Sequence, residues 1–227
     1  MIEVKNISKI YGKNDNAFTV LDNVNFTIPD GASVAILGKS GSGKSTLMHV
    51  MSGLDRPNEG QIIIDGKDIL ALNQKEVDKF RSSKMSFIFQ SFFVQAKESC
   101  YDNVSLPLEI ADVAKSRRRS KIEGALTAVE LIDKKKNLAS QLSGGQKRRL
   151  AVARAIVNNP KILFADEPTG NLDSVTGAVV EDLLFNYNKK NHVTLIVVTH
   201  DADLASRCDI QIHIKDGKIE SIKGDKK

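Results

Sequence analysis

Tryptophan is missing from this 227-residue chain, and aromatic residues make up only 5% of it. Binding single-stranded nucleic acid by base stacking needs exposed rings along a groove, so the scarcity argues against that use. Cysteine is as sparse: Cys100 and Cys208 have neither CxxC spacing nor the density of a disulfide scaffold, which predicts free thiols in a reducing compartment. No apolar run approaches the ~20 residues that span a bilayer, and Met1-Ile2-Glu3-Val4 opens without a basic segment and an apolar signal core. Cytoplasmic residence is the expectation, with any membrane work delegated to another chain. Charge of one sign does not dominate either: 33 Lys and Arg against 28 Asp and Glu leave a net +5 spread along the sequence. Arg117-Arg118-Arg119 and the tail at 223–227 read as solvated faces, and nucleic acid is set aside as a partner. With no repeat or low-complexity linker, the length suits one sizeable α/β domain.

Glycine is where the chain becomes informative. Gly38-Lys39-Ser40-Gly41-Ser42-Gly43-Lys44-Ser45 fits G-x-x-x-x-G-K-[ST] and follows the apolar residues 32–37, as a phosphate-binding loop leaving a buried strand does. Its glycines let successive N–H groups turn inward around phosphates, Lys44 supplies charge for the β- and γ-oxygens, and the Ser45 hydroxyl is placed to ligand Mg²⁺. Residues 45–53 read as a helix, beginning Ser45-Thr46, whose positive end faces the anion.

Four further features supply parts that triphosphate hydrolysis needs. Residues 161–167 form a short apolar strand ending in two carboxylates, which puts Asp166 near the metal and makes Glu167 the candidate general base. Leu142-Ser143-Gly144-Gly145-Gln146 opens a helical segment at 147–158 and offers a second anion cradle. One γ-phosphate does not need two cradles. Gln90 ends the strand-like residues 85–89, and His200 ends the β-branched run 193–199, so both tips sit where a parallel sheet presents ligand contacts.

These motifs, in this order, resemble the ATP-binding-cassette (ABC) ATPases, from about residue 2 to 219. The resemblance implies an α/β fold: a P-loop NTPase (RecA-like) core with an antiparallel β lobe (1–90 and 159–227) and an inserted helical lobe carrying the signature (91–158). It implies ATP and Mg²⁺ as cofactors, Tyr11 stacking on adenine, and Gly38 through Thr46 binding the phosphates. Ser45, Gln90 and Asp166 then ligand the metal, while Glu167, His200, Gln90 and Lys44 are catalytic. Ser143, Gly144, Gly145, Gln146 and Asp173, which follows Asn171-Leu172, contact ATP held by the other subunit. The second cradle is thereby explained, because family members form head-to-tail homodimers around two ATP molecules.

Pro168-Thr169-Gly170-Asn171-Leu172-Asp173-Ser174, Ile88-Phe89-Gln90-Ser91-Phe92 and Asp102-Asn103-Val104-Ser105-Leu106-Pro107-Leu108 are similar to the macrolide-export, lipoprotein-release and cell-division group. This implies a subunit lying against the inner face of the membrane and powering a separate permease, with or without an extracytoplasmic adaptor. The alternative within the group is a conformational regulator that moves no substrate. Two stretches depart from the pattern: residues 93–101 lack the expected apolar, proline-containing run, and Lys147-Arg148 stands where glutamines are usual.

Coarser signals fill the remainder. Alternation in residues 2–28 predicts short antiparallel strands with a turn at Asn14-Asp15-Asn16, and hairpins are expected at Asp65-Gly66 and Asp216-Gly217. Residues 101–160 lack strand signals, and Ile122, Ala125, Leu126 and Val129 have helical spacing. Another helix is expected over 174–190. His49, His192 and His213 read as structural or exposed, and Met48 and Met51 as core.

Overall fold

A computed structural model describes residues 1–224 apart from Phe92 and Asn171. The sequence expectations at Phe92, at Asn171 and at the end of the basic tail therefore lie outside the described residues. In chain order the elements are β1 (Ile2–Tyr11), β2 (Phe18–Ile28), β3 (Ser33–Leu37), α1 (Lys44–Met51), β4 (Glu59–Ile64), β5 (Lys67–Asp68), α2 (Gln74–Lys84) and β6 (Met85–Ile88). There follow α3 (Cys100–Ile110), α4 (Lys115–Ala128), α5 (Gly144–Ile156), β7 (Ile162–Asp166), α6 (Ser174–Asn191), β8 (Thr194–Val198), α7 (Ala202–Ser206), β9 (Ile210–Lys215) and β10 (Lys218–Gly224).

The strands make two sheets. One is antiparallel, in the order β2-β1-β4-β5. Its first two strands are not short: they run 10 and 11 residues, because register shifts within β1 let the pair bend without ending. Asn6 takes a left-handed φ of 52° inside the first shift. The turn at Asn14–Asn16 is a single 3₁₀ turn. The other sheet runs β10-β9-β3-β8-β7-β6, parallel from β9 to β6 with β10 antiparallel at one edge. β3 and β8 are buried at every residue, as strands covered on both faces must be.

Each face of the parallel sheet has its own apolar core. One packs against α1 and the antiparallel sheet, and takes in Leu47, Met48, Val50 and Met51. The other packs against α3 to α7, and encloses Cys100 and Cys208 as free buried thiols. Aromatic rings run along β6 and β7: Phe87 stacks on Phe164 at 5.2 Å and on Phe89 at 5.6 Å, and Phe89 meets Phe93 edge-on.

Several local features were not anticipated from sequence. α2 is one, although its signal was present: Asn73 accepts from the Glu76 N–H while Glu76 accepts from the Asn73 N–H, a reciprocal capping box. Arg118 is another, being no solvated charge: its Nε donates to Val113 O at 2.7 Å and its guanidinium pairs with Glu109. Between β6 and α3, the polar stretch at 93–101 is tied down by backbone hydrogen bonds, such as the Ala139 N–H to Glu98 O at 2.9 Å, and by the buried Asn103 side chain. Asn103 Oδ1 accepts from the Gln95 N–H at 2.7 Å, and its Nδ2 donates to the carbonyls of Gln95 and Ser99.

Candidate functional site

The phosphate loop leaves β3 at Leu37 and enters α1 at Lys44. Gly43 caps that helix with φ 102°, and a Cβ there would lie 2.7 Å from Val20 O, so both conformation and space demand glycine. Lys44 Nζ donates to Gly38 O at 2.8 Å and Lys39 O at 2.9 Å, folding the cation back over its own loop. Ser42 Oγ is buried, with no hydrogen-bond partner among the described residues.

Above the loop opens a cleft of about 810 Å³. Ser40, Gly41, Gly43, Lys44, Ser45 and Thr46 form its floor; Gln90, Asp166, Glu167 and His200 line one wall, and Tyr11, Phe18 and Val20 the other. Of the phosphate-binding residues expected from sequence, Gly38, Lys39 and Ser42 do not line it. Phe18 and Val20 were missed; their only signal was a place in an alternating strand next to Tyr11. The Tyr11 ring lies 6.1 Å from Phe18. Its hydroxyl donates to Asp55 Oδ2 at 2.5 Å, and Asp55 Oδ1 accepts from the mostly buried Lys9 at 2.8 Å.

The wall of the cleft is built by strand ends. Asp166 is the last residue of β7, and Glu167 lies just beyond it with φ 45°, a left-handed backbone that re-aims its carboxylate. The Glu167 N–H is fixed to Val198 O at 2.9 Å. Burial raises the Asp166 pKa, and the neighbouring Glu167 charge raises it further, against the pull of His49, Lys44 and Arg148. A cation between these carboxylates relieves that repulsion, so the donor set of Ser45, Gln90 and Asp166 on a half-buried acidic wall fits Mg²⁺. The inward-turned loop backbone with the Lys44 charge fits a polyphosphate.

His200 Nδ1 lies 2.8 Å from Glu167 Oε1, and Thr199 Oγ1 approaches Oε2 at 3.5 Å. The hydrogen bond to Glu167, and then its charge, raise the His200 pKa above 6.5. The pair is thus held by the protonated ring below the unfolded value and is lost as pH rises through the folded one. In an NMR titration His200 should therefore deprotonate at higher pH than an ordinary histidine, and Glu167→Gln should bring its midpoint down. A midpoint unmoved by that substitution would remove the pair.

The signature lies elsewhere. Ser143 caps α5, its Oγ accepting from the Gln146 N–H at 3.3 Å while Gln146 Oε1 accepts from the Ser143 N–H at 3.1 Å. This box starts the helix at Gly144, so the signature glycines are its first turn rather than a preceding loop. A Cβ on Gly145 would meet Thr176 Cγ2 at 2.4 Å. Asp173, capping α6, binds that same Thr176 through its N–H at 3.0 Å and its hydroxyl at 2.7 Å. The signature and Asp173 are thereby neighbours, and none of Ser143, Gly144, Gly145, Gln146 and Asp173 lines the cleft.

Residues 21–170 match the family described as ABC transporter. The chain belongs to the ABC transporter family. Within it, this is an ATP-binding subunit with the P-loop cassette fold and an ATP hydrolase. The lipoprotein-releasing system ATP-binding protein LolD of Syntrophus aciditrophicus is 40% identical over 219 residues, covering 96% of this chain and 98% of that protein. The macrolide export ATP-binding/permease protein MacB of Hyphomonas neptunium is 41% identical over the whole chain, which spans 35% of its length. Among solved structures, the dimeric cassette MJ0796 in a post-hydrolysis state bound to ADP and Pi superposes with a TM-score of 0.89 at 38% identity. That match covers 99% of this chain and 98% of the other. No helix among the described residues is long and apolar enough to cross a membrane.

Proposed function

We propose that this ABC subunit hydrolyses ATP as a head-to-tail dimer and so drives a separate membrane permease, from the cytoplasmic face, for export or release of a peptide, lipoprotein or antibiotic-like substrate. The observation that carries the dimer is the second cradle: Ser143 and its neighbouring N–H groups lie outside the chain's own cleft, so a ligand for them must come from an opposing subunit. The dimeric cassette structure and the name of the lipoprotein-releasing relative support the same reading.

The side chains divide the work. Tyr11 stacks on the base, the loop from Gly38 to Thr46 wraps the phosphates, and Lys44 exchanges its two loop carbonyls for phosphate oxygens. Ser45, Gln90 and Asp166 would hold Mg²⁺, which would supply positive charge to offset the negative charge of the phosphates. Glu167 takes the proton of the attacking water, a role that requires it unprotonated and released from His200. His200 is then free to turn to the γ-phosphate, and Ser143, Gly144, Gly145, Gln146 and Asp173 close on that phosphate from the partner.

Gln90 leads into the stretch at 93–101, and its polar departure from the family pattern suits a surface matched to one membrane partner. Alanines at 94–98, sparing Ser99 because it caps α3, should leave ATP affinity within about twofold and remove stimulation by the reconstituted permease. Persistence of full stimulation would exclude this segment from coupling.

A further inference from the structure

Arg148 has no part in the cradle formed by the signature. It lies in the second turn of α5, is 0% exposed, and sends its guanidinium through the protein toward the back of the cleft. Nη1 donates to Phe89 O at 2.5 Å and to Gln90 O at 3.2 Å, Nη2 donates to Glu167 O at 2.5 Å, and Nε donates to Pro168 O. One buried cation thus gathers four carbonyls from the ends of two strands, 19 to 59 residues away in sequence. Burial lowers its pKa to about 10, which leaves it charged at neutral pH. The two cleft residues whose peptides it holds are Gln90 and Glu167. Glu167 is also the one whose left-handed φ of 45° needs outside support, because a residue with a Cβ adopts that conformation at a cost. Arg154, further along α5, adds a second tie to the same loop by donating from Nη1 to Phe93 O at 2.6 Å.

We propose that Arg148 is a positioning residue for hydrolysis: from behind the cleft it sets the peptides of Gln90 and Glu167, and so couples the placement of the signature helix to the aim of the catalytic carboxylate. A planar guanidinium suits this task because its donors point outward in one rigid fork, which an ammonium does not offer. Movement of α5, as when its N-terminal cradle closes on a nucleotide, is transmitted to both residues through these hydrogen bonds. The inference rests on the reading of Glu167 as the base.

The test uses the full chain with Arg148→Met, Arg148→Lys and Glu167→Gln, alone and combined. Steady-state and single-turnover hydrolysis, ATP affinity without Mg²⁺, and melting temperature are measured for each. A misaimed base should lower kcat by about 10²-fold in Arg148→Met. Affinity should stay within about twofold, because neither Tyr11 nor the phosphate loop touches the guanidinium. Arg148→Lys should recover part of the rate, and it carries the same test if the Met variant fails to fold. In the Glu167→Gln background Arg148→Met should cost little more, since both act through one carboxylate. Near-wild-type kcat in the folded Met variant, affinity falling in step with kcat, or losses that multiply with Glu167→Gln would each overturn the proposal. If Glu167→Gln itself keeps the wild-type rate, it is the assignment of the base that fails.

Discussion

Glu167→Gln is expected to hydrolyse ATP about 10²–10⁴-fold more slowly than the unaltered chain while still binding it. The amide keeps the size and the Thr199 contact distance of the carboxylate but has no lone pair basic enough to accept a proton from water. Binding should survive, because the phosphate loop and Tyr11 lie on the floor and opposite wall of the cleft. The substitution also takes one negative charge from a wall where burial, and then the Glu167 charge, raise the Asp166 pKa, so the triphosphate meets no added repulsion. On the proposed function, in which ATP closes the dimer and hydrolysis reopens it, the dimer should accumulate. Single-turnover assays and sedimentation with Mg-ATP measure both effects. A rate close to that of the unaltered chain would show that another group takes the proton; a species monomeric at high protein and low salt would argue against the sandwich.

Mixing two inactive chains should restore hydrolysis. Lys44→Ala removes the cation that would meet the phosphates, and Ser143→Arg would fill the second cradle, so each homodimer carries the same lesion in both of its sites. A mixed dimer places both lesions in one composite site and leaves the other intact. Random pairing at equal concentrations makes about half of the dimers mixed, so activity should rise from near zero to about a quarter of normal, counting one working site per mixed dimer and sites that act independently. If the signature served the cleft of its own chain, every site would remain defective and mixing would recover nothing. The geometry favours the first outcome, since Ser143 and Asp173 adjoin each other through Thr176 and both lie outside the cleft.

The phosphate loop was legible in the sequence because its chemistry is local. Contiguous backbone N–H groups wrap one anion, so the glycine positions and Lys44 must occur in a fixed short pattern. The signature was legible for a similar reason, as a capping serine followed by small residues at a helix start, although its box drew the helix three residues earlier than the pattern suggested. Mostly apolar runs at 32–37, 162–165 and 193–198 announced the buried parallel strands, because strands covered on both faces need not alternate. The length of β1 and β2 was not legible, since a bulge interrupts alternation without ending a strand.

Sequence by itself determined the family, the ATP chemistry and the identity of most residues that line the cleft: the phosphate loop and Asp166-Glu167 lie in short motifs whose spacing the chemistry imposes, Gln90 and His200 end strand-like runs, and Tyr11 is implied by the family resemblance. Only the tertiary structure decided how those motifs meet. Sheet order β3-β8-β7-β6 brings His200, Asp166, Glu167 and Gln90 from three separate strand ends to one wall, and the side chains then choose partners that no spacing specifies. Phe18 joined the cleft through pairing of β2 with Tyr11 on β1. Arg148, which reads as one more basic residue after the signature, became a buried link to Phe89, Gln90, Glu167 and Pro168. A guanidinium has several outward-pointing donors, and which carbonyls they find depends on where the packed helix rests against the sheet.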